Sequence, residues 1–383
     1  MLSNKTDVDF VFLVHPRTLA DVVAFFSLSK SNTLPPLLSR GLEWMISMIP
    51  NQTICAVHDT SSTGLRGLVV GIPFTTFLLQ NKKNRHRAVK RIQRTLDSYS
   101  GSAIKSVGLG ALLSSVTQQG RLISRKDHSY PLIATGRLLT VYNVSQLYIS
   151  LAHILYEEHS ERLPVTILGA AGSIGSGVAI SLAAEGFSSF YLVDLPSKRD
   201  LLDSLVAHIL RLQPRASVQI FHDTKKILPK SLGVITATSR EDAVISSGDV
   251  SPGTFIVDDA QPSDVDPMLY DRDDVVVVNG GAMFSEYLNA YHPLFHLREK
   301  HIYSCLAETY LFARFPDLAE TLQPHHLPRF PSYEKVRHIG RRAEEVGIHM
   351  GHFHNPKRVY TQEDLRQIKT RCINRLSETF DTT

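Results

Sequence analysis

Residues 165–175, Val-Thr-Ile-Leu-Gly-Ala-Ala-Gly-Ser-Ile-Gly, run from an apolar β pattern into Gly169, Gly172 and Gly175, with a helical pattern opening directly behind. A Cβ at such positions would block the tight turn, the approach of backbone to a pyrophosphate, or close packing of helix on strand. The spacing predicts a dinucleotide-binding turn, with Ser173 and Ile174 in the first helical turn. A second apolar run ends in Asp194, 19 residues after Gly175. A carboxylate there accepts hydrogen bonds from both ribose hydroxyls and repels a 2′-phosphate. Lys198 and Arg199, just beyond, are placed to reach such a phosphate. The expected cofactor is therefore NAD(P)H, with NADH preferred over NADPH.

Short apolar runs at 218–221, 233–237, 255–257 and 275–278 continue the strand-helix alternation, as in a doubly wound parallel sheet. Thr238, Ser239, Asn279 and Gly280 close two of these strands, at the edge where ligands of such sheets bind. The turn begins some 165 residues into a chain of 383, so a substantial domain precedes it and an active site is expected in the cleft between them. The fold class is α/β: an N-terminal α/β domain plus a Rossmann-type doubly wound parallel sheet, with C-terminal helices. The expected boundaries are 1–135 for the first domain, 136–160 for an interdomain helix and 161–298 for the Rossmann domain. Helices packing on the cleft follow over 299–350, then a tail over 351–383 with an amphipathic helix at 362–380.

Composition is that of an ordinary globular protein, 43% hydrophobic with a net charge of +4, too mild to argue for nucleic acid. The apolar stretch at 10–14 is cut short by His15, Pro16 and Arg17 before it could form a signal-peptide core or a membrane span. Cys55, Cys305 and Cys372 lie far apart with no C-x-x-C spacing, which speaks against a disulfide framework or a metal site and for a cytoplasmic setting. The charge is unevenly spread. Lys82, Lys83, Arg85, His86, Arg87, Lys90, Arg91 and Arg94 crowd one predicted helix with no acid before Asp97. Such a run is either a solvated face or a dock for an acidic partner.

Cys305 lies within His-Ile-Tyr-Ser-Cys-Leu-Ala-Glu, in a predicted helix over 299–315. Taken alone, it is a small apolar side chain packed in a helix or a nucleophile whose thiolate is favoured by its surroundings. Several blocks recur in one order along residues 10–353: the Phe-x-Phe-Leu-x-His15 start, the basic helix, Val107-Gly-Leu-Gly110-Ala before Ser114-Ser115, Ala134-Thr-Gly136 with Thr140, the glycine turn, Val278-Asn-Gly-Gly281, and Ser304-Cys305-Leu-Ala-Glu308. In these the chain resembles the long-chain acyl-[acyl carrier protein] reductases of cyanobacteria, as a divergent member.

The resemblance implies Cys305 as a nucleophile that is acylated by a thioester on acyl carrier protein or coenzyme A. It further implies reduction of the acyl group to an aldehyde, and a partner enzyme that consumes that aldehyde. His15 is then a second catalytic candidate, able to orient substrate or to cap a strand end. Gly108, Gly110, Ser114 and Thr140 are the substrate and oxyanion candidates, and Lys82, Lys83, Arg85, Arg87, Lys90, Arg91 and Arg94 the carrier-docking set. Arg137 stands where relatives are expected to carry Asn, which points to a different acyl group. Two other readings stay open: a two-domain dehydrogenase, similar in layout to shikimate dehydrogenases, that reduces a small ketone without a covalent step, and a non-catalytic NAD(H)-binding protein.

Overall fold

Two sheets organise the chain, and the alternation of their strands decides what covers each face. The computed structural model describes residues 8–26, 36–125, 130–240, 242–290, 292–295, 297–323 and 328–370. They divide into two compact units: residues 1–136, 284–328 and 342–349 form the first, and residues 137–283, 329–341 and 350–383 the second.

The first unit opens with β1 (Phe10–Val14), α1 (Leu19–Phe26), α2 (Pro36–Ile46), β2 (Gln52–Asp59), β3 (Arg66–Gly71), α3 (Thr76–Gln80), α4 (Lys82–Asp97), β4 (Ser106–Leu109), α5 (Leu112–Val116) and β5 (Leu132–Ala134). The strands lie in the order β2-β3-β1-β4-β5, parallel except for β2. On β1, Val11 and Leu13 point to one face and join a core with Leu78, Leu79, Ala88, Ile92, Leu96 and Leu113 of α3 to α5. Ala88, Ile92 and Leu96 recur every fourth residue, so α4 buries a single apolar stripe, while Arg85, Arg87 and Arg91 at its flanks hydrogen-bond to Leu79 and Ser47 and the other cations stay exposed. Phe10 and Phe12 take the opposite face, where Phe10 meets Tyr310 edge-on at 5.9 Å.

The second unit contains α6 (Arg137–Tyr156), β6 (Val165–Leu168), α7 (Ser173–Ala184), β7 (Ser189–Val193), α8 (Arg199–Leu212), β8 (Ser217–Phe221), α9 (Thr224–Ile227), β9 (Gly233–Thr236), β10 (Phe255–Asp258), β11 (Val276–Asn279) and β12 (Ala282–Ser285), the last of which crosses into the first unit. Six strands are parallel in the order β11-β10-β9-β6-β7-β8, the doubly wound arrangement read from the sequence. The order reverses between β6 and β9, beside the glycine turn. The central strands β6, β9 and β10 are buried along their whole length, because both faces of the sheet are covered there, whereas the edge strand β8 alternates exposed and half-buried positions.

Helix α6 corrects the expected layout. It packs within the second unit, where Val141 lies against Gly177 of α7 and Tyr148 stacks near Phe187 and Phe255. By length and composition α6 could cross a membrane, but its apolar window is 72% buried in the fold. Apolar residues all round it are what a core helix requires.

The chain then returns to the first unit with β13 (Leu288–Asn289), which pairs antiparallel with β2, and β14 (His301–Tyr303). There follow α10 (Ser304–Arg314), α11 (Pro316–Thr321), α12 (Tyr333–Glu344) and β15 (Ile348–Met350), with a small sheet in the order β14-β12-β15. The expected 299–315 helix thus begins five residues late. Lys300 adopts φ 57°, Ser285 donates its N–H to Lys300 O, and residues 301–303 pair as a strand before the helix can start. In the tail, residues 362–370 are helical; the rest of the expected 362–380 helix and Cys372 lie outside the described residues.

Candidate functional site

The late start of α10 puts Cys305 in its first turn, directly after Ser304, with Tyr303 in the N-cap position and no side chain capping the helix. A thiol there stands at the positive end of the helix dipole, the kind of position at which nucleophilic cysteines are found. The sulfur is half-buried and forms no disulfide.

Two other sequence blocks pack on α10 at this turn and the next, within the first unit. Gly136 has φ 72°, and a Cβ built on it would stand 2.1 Å from Cys305 Cβ and 2.6 Å from its Cα, so only glycine allows the 134–136 turn to rest on the cysteine. Buried Glu308, one turn along α10, accepts the Gly136 N–H at Oε1 over 2.7 Å. Gly108 meets α10 next: a Cβ there would overlap Thr309 Oγ1, and Ser106 Oγ donates to Thr309 O at 2.7 Å. Since β4 and β5 are parallel, Gly108 and Gly136 meet α10 at or near the carboxyl ends of both strands. Sequence reading quoted Gly136 and Glu308 as parts of blocks without a role; the glycine before a helix start was the one local signal available.

The remaining candidates of this unit are used by the fold. His15 is buried, with Nδ1 hydrogen-bonded to Pro16 O at 2.9 Å and Nε2 accepting the Leu112 N–H at 3.1 Å. Burial pushes its pKa down to about 4, so it is a neutral imidazole with both nitrogens engaged: it caps α5 instead of exchanging protons. Gly108 is paired on both sides within the sheet, Gly110 donates its N–H to Leu13 O, and Ser114 Oγ donates to Gln119 Oε1 at 3.0 Å. None of these three keeps a donor for an oxyanion. Ala111, between them, is exposed, holds φ 47° and ψ −133°, and its N–H has no partner among the described residues. Tyr303 is held neutral, its pKa pushed up to about 12 by burial, and its hydroxyl donates to Phe295 O at 2.6 Å. Thr140 is buried in α6 of the second unit.

In the second unit the glycine turn has the predicted shape. Gly169 has φ 78°, and a Cβ there would come within 2.7 Å of Ala237 O; one on Gly175 would come within 2.4 Å of Gly169 O. Helix α7 begins at Ser173 without a side-chain cap, so the positive end of its dipole faces the glycine turn, as an anion site requires. Asp194 ends β7 and reaches back: Oδ2 accepts the Ala171 N–H at 2.9 Å and Oδ1 the Leu195 N–H at 2.8 Å. Arg199 is tied to Asp203 at 3.0 Å, whereas the exposed Lys198 beside it forms no ion pair among the described residues. Along the same carboxyl edge, Thr238 is fixed by Asp264 through its N–H at 3.1 Å and its hydroxyl at 2.6 Å, and Ser239 follows it. Gly280 donates to Asp258 O at 2.7 Å, and Asn279 Oδ1 accepts the Gly281 N–H at 3.0 Å.

Sequence reading passed over the acids at this edge. Burial raises Asp258 to about 7, and Asp259 and Asp264 are shifted upward by the same cause. The Asp-Asp pair at the end of a strand was the available signal. The features a dinucleotide requires are all present: a cradle that a Cβ would fill, an uncapped helix start and a carboxylate after the second strand.

No protein-family profile matches the chain. It is 25% identical over 354 residues to PigE of Serratia sp. (strain ATCC 39006), which is named an aminotransferase; the match spans 88% of this chain and 39% of PigE. The chain thus corresponds to about two fifths of the length of that relative. Among solved structures, the hetero-hexameric glutamate dehydrogenase of Thermus thermophilus aligns with 98% of the chain and 82% of its own, at 14% identity and a TM-score of 0.41. L-tryptophan dehydrogenase of Nostoc punctiforme aligns over 98% and 91% at 13% identity and 0.36. Quinate dehydrogenase of Corynebacterium glutamicum, in complex with NAD, aligns over 67% and 81% at 11% and 0.35. Likenesses of this degree say nothing about activity.

Proposed function

We propose that the chain is an NAD(P)H-dependent oxidoreductase that converts an acyl thioester to an aldehyde through a thioacyl intermediate on Cys305, in the manner of the acyl-[acyl carrier protein] reductases it resembles. The observation that carries the reading is the seating of the 134–136 turn on Cys305 at the start of α10, where only glycine fits, with β4 packed on the next turn of the same helix. A structural cysteine needs no such approach, whereas a thiol that must meet a carbonyl in one orientation does.

Cys305 thiolate attacks the thioester carbonyl carbon; a new C–S bond forms, the bond to the carrier sulfur breaks, and the carrier thiolate departs and takes up a proton. Thiols of similar pKa exchange with little acid assistance. Gly169, Gly172, Gly175, Ser173 and Asp194 would hold the dinucleotide, which when bound supplies a hydride to the acyl carbon. Cys305 then holds a thiohemiacetal whose oxygen needs a donor, the role we assign to the Ala111 N–H at the carboxyl end of β4. The C–S bond breaks with loss of the hydroxyl proton, aldehyde leaves, and the electron pair returns to Cys305. Asp194 favours NADH over NADPH, since a 2′-phosphate would meet its carboxylate.

Transamination by the chain itself is the weaker reading. The pyridoxal cofactor of such enzymes is held by a lysine Schiff base in an enclosed site, and among the described residues no lysine is buried. An aldehyde is, however, a substrate for transamination, and the name of PigE makes an aminotransferase the class of partner we propose to consume the product. The test is NADH consumption with octanoyl-coenzyme A and direct detection of octanal. Turnover that vanishes in Cys305→Ala is expected; turnover retained in that variant would instead support direct reduction without a covalent step.

A further inference from the structure

Asn143 stands in the apolar helix α6 with its side chain fully buried. A carboxamide in such a place is costly unless its polar atoms are paired, and here they are. Nδ2 donates to Gly280 O at 2.7 Å and to Ala282 O at 3.0 Å, while Oδ1 accepts the Gly351 N–H at 3.4 Å. Both donors therefore go to the loop that leaves β11, and the acceptor goes to the segment that follows β15. That segment presses on the same loop: a Cβ on Gly351 would stand 2.2 Å from Ala282 O. On the β10 side, a Cβ on Gly280 would come within 3.1 Å of Val257 Cγ1.

Residues 351–360 also close the edge of the sheet. β11 is its outer strand, so the outward N–H groups of β11 have no strand to pair with. Val277 donates instead to Tyr360 Oη at 2.9 Å, and Asn279 to His354 O at 2.8 Å. The segment is folded back on itself. The Tyr360 N–H donates to Phe353 O at 2.8 Å, Asn355 Nδ2 donates to Tyr360 Oη at 3.1 Å, and the Arg358 guanidinium lies 4.5 Å from the Tyr360 ring centre. Asn279 is thus held through its backbone by the segment and through Oδ1 by the Gly281 N–H, while its Nδ2 has no partner among the described residues.

The topology tells which end of a dinucleotide meets this loop. Asp194 follows β7 on one side of β6, and β9, β10 and β11 lie on the other. A dinucleotide that crosses the glycine turn with its adenosine half toward Asp194 extends its nicotinamide half over the carboxyl ends of β9 to β11. We infer that Asn143 and the 351–360 segment are positioning elements of the cofactor site, which hold the 279–281 loop to receive the nicotinamide end and offer it Asn279 Nδ2 as a donor. The inference rests on the cofactor reading above and makes the tail part of that site.

Calorimetric titration of the full chain with NADH and, separately, with ADP-ribose, which lacks the nicotinamide ring, tests it. Asn143→Leu removes both donors from the α6 side, and Gly351→Ala pushes a methyl group against the loop from the tail. Tyr360→Phe keeps the ring beneath Arg358 and removes only the oxygen. The first two should raise the dissociation constant for NADH by about tenfold or more and the third by about twofold or more, with ADP-ribose within about twofold of the wild type throughout. A merely structural role would weaken both ligands alike or neither. Equal losses for the two ligands, or NADH affinity unchanged in every variant that melts cooperatively, would overturn the inference and leave the cofactor reading standing. A wild type that binds neither ligand would refute that reading and the inference with it.

Discussion

Gly136→Ala is the sharpest perturbation of the nucleophile that leaves the cysteine in place. At φ 72° an alanine pays roughly 1–2 kcal/mol for its backbone conformation. Its Cβ would start 2.1 Å from Cys305 Cβ and 2.6 Å from Cys305 Cα. Carbon atoms rest about 3.5–4 Å apart, so the turn or the start of α10 must yield by more than an ångström. Overpacking of this kind adds about 1–3 kcal/mol. The total expected loss of stability is about 2–5 kcal/mol, read as a lower melting temperature in calorimetry. A displacement of about 1 Å at a reacting atom costs on the order of 10²-fold, so the first-order rate of acylation at saturating octanoyl-coenzyme A should fall by about that factor. Unchanged melting together with an acylation rate within twofold of the wild type would refute the argument that the 134–136 turn sets the position of Cys305.

Other perturbations separate the parts of the account. Glu308→Ala leaves the buried Gly136 N–H without its acceptor and should cost about 1–3 kcal/mol, while Glu308→Gln keeps an acceptor oxygen and should melt closer to the wild type; equal losses would contradict the role given to that hydrogen bond. His15 has a folded pKa of about 4 against about 6.5 unfolded, so between these values the unfolded chain binds more protons. Its contribution is therefore complete above about pH 6.5 and declines by up to about 3 kcal/mol as pH falls toward 4. Urea midpoints of His15→Gln should show a flatter pH dependence across that window, and an unaltered slope would count against the neutral cap. Asp194→Ser removes the carboxylate that faces a 2′-phosphate, so the ratio of NADPH to NADH affinity should rise by about tenfold or more in direct binding titrations; an unmoved ratio would take Asp194 out of the ribose site.

What the sequence disclosed and what it concealed divide along the range of the interactions. The glycine turn was legible because most of its requirements are local: Gly175 is fixed by Gly169 and Ala170, next to the strand and helix that the apolar pattern already marks, and only the approach of Gly169 to Ala237 comes from a distant strand. Asp194 followed from spacing for the same reason. The start of α10 was not legible, since residues 299–315 are compatible with helix throughout and the boundary depends on residues 301–303 pairing with a strand some twenty positions earlier. Helix α6 showed long apolar periodicity, but only its packing against α7 distinguishes a core helix from a bridge. In α4 the cations were visible, while their division into those that reach Ser47 and Leu79 and those left in solvent required the neighbouring chain. His15 belonged to the right neighbourhood, but its two backbone partners make it a cap, a distinction that no spacing carries.

The central claim is that Cys305 carries the acyl group, and intact-protein mass spectrometry after incubation with a panel of acyl thioesters, without nicotinamide cofactor, tests it most directly. The account predicts a single acyl adduct on the wild type, absent from Cys305→Ala and discharged as aldehyde when NADH is added. An unmodified wild type that still binds NADH, or an adduct of equal yield on Cys305→Ala, would contradict it.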